Sequence, residues 1–360
     1  MPRSSSVSSS GGLIGVDNIP SNGGNVVTTI IATGTHTLHK RTTEFDVIVS
    51  AGGGGGGDTS GGGGGGGGAG GYRTASSQLI EPGSSDGVNI PITIGAGGGI
   101  NDGAAGSVGN DSVFGYPANP ITSDSGGYGG TNGAAGGAGG SGGGNGYTGP
   151  DTGGAGNTPP TSPSQGNPGG AFATGNGGGG GGGAGAAGGT QPSATVGGRG
   201  GIGAPSTITG TNTYYSGGGG ASSNSVGGAG GQGGGGHGRG STYGNAKPGT
   251  ANTGGGGGGT YSGQPDAGTG GSGVVIIKEK DKASGIWGMK TLYSAKLEGQ
   301  WPDHQLDHDI FNSLRFNPGD EDDLSITPGS AGNRRTFTLS FWAKISADYG
   351  TDTSTNNFFT

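Results

Sequence analysis

Cysteine is absent from all 360 residues, which excludes disulfide frameworks, thiolate metal sites and cysteine nucleophiles. Large apolar side chains are scarce: Leu, Ile, Val and Phe come to about 50, too few for one conventional core to hold a chain of this length. Charge is scarce as well. Charged residues make up 11% and the formal net charge is −7, so self-repulsion, the usual basis of disorder, does not apply. With a pI near 5.1 the chain lacks the basic face that a nucleic-acid partner requires. No run of 18 apolar residues occurs, and the opening MPRSSSVSSSGG leads into no apolar stretch, so neither a membrane span nor a signal peptide is read.

What is present instead is glycine, 103 residues of it. It is concentrated between Ala51 and Gly273, where about 40% of positions are glycine, including the runs Gly52–Gly57 and Gly61–Gly68. Charge shifts the other way: the last 83 residues hold 21 of the 39 charged side chains and all three tryptophans, Trp287, Trp301 and Trp342, and read as conventional protein. Between the glycine tracts stand β-branched runs: Val26–Ile31, Phe45–Val49, Val88–Ile94, Ser206–Thr209 and Gly273–Lys278. Bounded by Gly, Ser, Asn and Pro, these are strand signals. The first and last of them flank the glycine-rich region, so pairing them would close it as a domain.

A fixed glycine costs about 0.5–1 kcal/mol more than an alanine, so some 90 of them are a heavy handicap that side-chain burial cannot offset. One ordered arrangement uses bare backbone as its packing surface: bundled polyproline-II-type strands bonded through main-chain N–H, C=O and Cα–H groups. Collagen is excluded, because glycine is consecutive here rather than every third residue. A floppy tract and a silk-like stacked sheet are the competing readings. Against the first stand Tyr72, Leu79, Phe114, Tyr116, Phe172, Tyr214 and Tyr215, for which a spacer has no use.

The segments FDVIVSAGGGGGG (from Phe45), PITIGAGGG (from Pro91), GTANTGGGGGG (from Gly249) and GGSGVVIIKEK (from Gly270) resemble the glycine-rich domains of bacteriophage tail fibres and adhesins. The resemblance implies an all-β fold over 26–282, with β-sandwich-like strands interleaved with a polyglycine-II or polyproline-II helical bundle, after a Ser/Gly arm over 1–25. Further on, SGIWGMKTLYSAKLEGQWPD (from Ser284) is similar to a segment that follows such domains. Its Trp287, Leu292, Tyr293 and Leu297 fit a helical stripe ended by Gly299 and Pro302, a short helical connector over 283–308. FNSLRFNPGDEDDLSITPGSAGNRRTFTLSFWAKIS (from Phe311) is similar to the opening strands of a concanavalin or laminin-G-like jelly roll, so 309–360 is expected to be a partial sandwich that stops mid-fold. That family's sugar-binding residues have no counterparts here.

Local chemistry is sparse. G-x-G-x-x-G matches mean nothing in such a tract, since a dinucleotide fingerprint needs a strand, a turn and a helix, and no Walker lysine follows any glycine loop. His304 and His308 would form a metal-ligand pair if helical, but a solvated polar connector beside Pro302 is the preferred reading, and no metal is expected. Asp320, Glu321, Asp322 and Asp323 lack calcium-loop spacing and read as a hairpin turn. No histidine neighbours a serine nucleophile motif, and no paired carboxylates carry a local signature, so the expectation is no enzyme and no cofactor.

The resemblance therefore implies a structural virion protein, made in the host cytoplasm, that recognises a host-surface glycan or outer-membrane protein without catalysis, as a homo-oligomer, expected to be a trimer, joined to other tail proteins. The alternatives are the shaft of a depolymerase with its catalytic domain beyond residue 360, or a purely structural capsid or tail component. Tyr116, Tyr128, Tyr147, Tyr214, Tyr215, Tyr243 and Tyr261 are the candidate receptor contacts, because rigid amphipathic rings bind at low ordering cost. The same rings serve equally to cap the apolar edges of the bundle.

Overall fold

The computed structural model describes residues 25–39, 42–80, 88–117, 119–261 and 266–281. These fall within one unit, Pro20–Ser284. The arm before Asn25, the connector expected over 283–308 with His304 and His308, and the partial sandwich expected over 309–360 lie outside the described residues.

Among the described residues there are ten strands and no helix. One antiparallel sheet runs in the order β1 (Val26–Ile30), β10 (Val274–Asp281), β3 (Thr42–Ser50), β4 (Tyr72–Leu79). A second runs β2 (Gly34–Thr37), β5 (Asn89–Thr93), β6 (Ser112–Phe114), β7 (Ile121–Ser123), also antiparallel. A hairpin joins β8 (Ala204–Ser206) to β9 (Thr213–Tyr215). The last strand thus lies between the first and third, and the two ends of the glycine-rich stretch meet in one sheet.

The uninterrupted apolar runs of β3 and β10 follow from burial on both faces. Phe45, Val47 and Val49 of β3, with Val275 and Ile277 of β10, pack on Ile90, Ile92, Phe114, Tyr116 and Ile121 of the second sheet and its flanks. Phe45 and Tyr116 meet edge to face at 5.3 Å. The opposite face of the same strands carries Ile48, Val274 and Ile276, covered by Ile208, Tyr215 and Tyr72. Polar residues mark the end away from the glycine tracts: Lys280 bonds Glu44 at 2.6 Å and pairs with Asp46 at 3.0 Å. Of the run Ser206–Thr209, only Ser206 is in a strand. Its hydroxyl accepts the Ile208 amide at 3.2 Å, and this local turn swings Ile208 into the second core.

Between the strands the backbone bonds to itself through space. The amides of Gly52, Gly55 and Asp58 donate to Asn110, Ser107 and Ala104; those of Gly53 and Gly56 to Gly271 and Gly268; those of Gly54 and Gly57 to Gly68 and Gly65. In each set the partner number falls by three as the donor number rises by three, so these neighbours run antiparallel. The carbonyls of Gly52 and Gly55 accept from Gly126 and Gly129, and those of Gly54 and Gly57 from Gly257 and Thr260, in rising order and hence parallel. The bonding direction repeats every third residue, whereas along a β-strand it alternates every second. A net backbone hydrogen bond contributes about 0.5–1.5 kcal/mol, comparable to the extra cost of fixing a glycine. Such a tract holds only if nearly every residue is bonded, and all six amides of Gly52–Gly57 are.

Candidate functional site

Each tract that leaves the sandwich must turn and come back, and the turn carries the side chains. The residues from Ala51 to Asp58 carry the chain from the end of β3 to the first turn. There the Asp58 amide donates to Ala104 at 2.8 Å and the Gly103 amide donates to Asp58 Oδ2 at 3.1 Å, joining the turn at 58–62 to that at 100–104. Gly63 bridges to Tyr261, bringing in a third. Carboxylate oxygens of Asp58, Asp102 and Asp266 lie within 4.8 Å of one another, Asp58 buried and the other two exposed. The three belong to turns far apart in sequence and meet only because the tracts are in register.

The same end continues through neighbouring turns. Thr148 Oγ1 donates to Asn132 Oδ1 at 2.8 Å, Gln191 Oε1 accepts from the Thr174 amide at 3.1 Å, and Ser223 Oγ donates to the Thr195 carbonyl at 2.7 Å. Tyr147 lies against Gly62, where a Cβ would meet its ring, and packs edge to face on Phe172 at 5.7 Å. Tyr243 stacks on His237 with ring centres 4.3 Å apart, and His237 Nδ1 accepts the Gly230 amide at 3.0 Å. The turns thus expose Asn132, Thr148, Thr174 and Thr195 beside half-buried rings at Tyr147, Tyr243 and Tyr261, while Gln191 and Ser223 are buried and brace the turns from within.

The other four candidate tyrosines fall elsewhere. Tyr116 is 4% exposed in the sandwich core, its hydroxyl donating to the Leu79 carbonyl at 3.2 Å, and Tyr215 is 7% exposed in the second core. Both rings are held away from the surface, and burial pushes the Tyr215 hydroxyl above its ordinary range. Tyr128 and Tyr214 are half-buried, Tyr128 against Gly137 and Tyr214 on β9 opposite Pro205.

One buried acid required the fold to be noticed. Glu279 on β10 accepts from the Thr42 hydroxyl at 2.5 Å and the His39 amide at 2.8 Å and lies 3.1 Å from His36 Nε2. Burial pushes its carboxyl up, but the bonds from His36, Thr42 and the His39 amide together outweigh it and hold the group below the usual range. Its oxygens are engaged with the segment joining β2 to β3, so it fastens that segment to β10. Asp124 shows the opposite balance: desolvation raises it despite its 2.6 Å bond from Gln165 Nε2. No helix of the described residues is long and apolar enough to cross a membrane.

None of the curated proteins compared matches the chain. A glycine-rich domain family does match, over residues 28–280, from within β1 to within β10 and hence over every glycine tract described above. On that match, which spans more than half of its length, the chain belongs to the glycine-rich domain family.

Proposed function

We propose that this chain is a non-catalytic structural component of a bacteriophage tail fibre or adhesin. In this reading, the glycine tracts form a polyglycine-II bundle that acts as a stiff body, and the turns at its far end meet a glycan or protein on the host surface. The observation that carries the proposal is the gathering of Tyr147, Tyr243 and Tyr261 with Ser, Thr and Asn side chains on turns held by backbone bonds. A preordered surface of that kind loses little conformational freedom on binding, which is where affinity is usually forfeited. The resemblance to phage fibre proteins supplies the biological setting: a place on the virion and assembly with other tail proteins.

The test is binding of the full chain, fluorescently labelled, to bacterial cells and to an array of surface glycans. The expected result is saturable binding that falls at least tenfold when Tyr147, Tyr243 and Tyr261 are replaced together by Ala, with the thermal midpoint within a few degrees of the parent. A correctly folded chain that binds no bacterial surface contradicts the recognition role.

A further inference from the structure

A sheet that ends in an unpaired strand normally protects it, because a row of free N–H and C=O groups invites another strand. The sandwich has four such edges. β2 and β7 have four and three residues. β4 carries Arg73, a left-handed residue at Ser77 (φ 52°), and a register shift opposite Phe45–Val47; its first amide, that of Tyr72, is already donated to Gln165 at 2.8 Å. β1 differs from all three. Its five residues, Val26-Val27-Thr28-Thr29-Ile30, contain no charge, proline, glycine or bulge, and among the described residues no strand pairs with its outer side. Of the six exposed large apolar residues among those described, three stand on or next to it: Val26 at 55%, Val27 at 39% and Ile31 at 55%. Half of them thus gather at the edge that has no protection; of the others, Leu79, at 70%, stands on the guarded β4.

We infer that β1 is a docking edge for a second copy of this chain, pairing with the β1 of that copy antiparallel about a two-fold axis. The choice of occupant rests on self-complementarity. Centred on Thr28, the pairing sets Thr28 against its own copy, Val26 against Ile30 and Val27 against Thr29, so every cross-strand pair is β-branched on β-branched. Uncharged strands meet with no like charges to repel, and the same patch serves both partners, as a two-fold contact requires. The sheet continues across the axis as eight strands, ordered β4-β3-β10-β1 and then the reverse. Such a contact joins subunits in pairs, which separates it from the trimer of the fibre reading.

The test is the mass of the full chain by sedimentation across a hundredfold range of concentration. The expected result is a rise from 33.8 kDa toward twice that value. Replacing Val27 and Thr29 together by Lys sets like charges directly opposite in the paired form, so the mass stays at one chain. Val27→Lys with Thr29→Glu sets each Lys against a Glu of the other copy, so the pair returns. Hydrogen exchange of the β3 and β10 amides, unchanged in both variants, shows that the sheet itself is intact. A single-chain mass at every concentration, a three-chain mass, or a pair unmoved by the double Lys variant overturns the inference. So does slow exchange of the outward β1 amides in the lone chain, since the edge would then already be covered.

Discussion

At Gly54 there is room for a hydrogen atom and nothing larger: a Cβ built there lies 2.1 Å from the Gly127 carbonyl oxygen, which is backbone and has no rotamer to give. Gly99, by contrast, has nothing within 4 Å of the same point. Gly54→Ala is therefore expected to cost about 3 kcal/mol, as overpacking a rigid interior does, while Gly99→Ala is neutral or slightly stabilising through the unfolded chain. Urea unfolding of the two variants checks the pair; equal effects would mean that the tract is not close-packed. Glu279 gives a second residue-scale test. Its carboxyl is held below the ordinary glutamate value of about 4.3. A depressed acid adds stability that is present above the unfolded value and lost as the pH falls toward the folded one. The unfolding free energy should thus decline below about pH 5, and Glu279→Gln should flatten that decline. A parent and variant with parallel pH profiles would assign the acid lability to other groups.

At the scale of the element, the sequence announces β1 and β5 through their β-branched runs, and β3 and β10 through runs that are buried twice over. β3 and β10 read as strands because Phe45, Val47, Ile48 and Val49, and Val274 to Ile277, fill cores on both faces. Removing one such side chain should be costly: Phe45→Ala is expected to lose about 3–5 kcal/mol, measurable as a lower urea midpoint with the slope unchanged. Less was legible elsewhere. β6 and β7 are three residues each, too short for a period of two to register, and β4 is mostly polar because it lies at an edge. Tyrosine has a ring that suits a core and a hydroxyl that suits a surface, so sequence alone could not divide Tyr116 and Tyr215 from Tyr147, Tyr243 and Tyr261. The meeting of Asp58, Asp102 and Asp266 was invisible for another reason: glycine carries no side-chain pattern from which the register of one tract on another can be read.

For the whole molecule, the arrangement inverts the usual division of labour. A modest two-sided core joins the two ends of the glycine-rich region, and main-chain bonds between tracts order the rest of that region. Gly52–Gly57 donate into three antiparallel neighbours and accept from parallel ones, so each tract depends on several others and none is stable alone. Loss of one tract should therefore propagate, and the domain should unfold cooperatively rather than by fraying of loops. The measurement that tests this most directly is native-state hydrogen exchange of Gly52–Gly57 and Gly64–Gly68 beside β3 and β10. The account predicts slow exchange in the tracts, with an opening free energy equal to that of the β10 core amides and lowered in step with it by urea. Exchange of the tract amides at random-coil rates while β10 stays protected would contradict it.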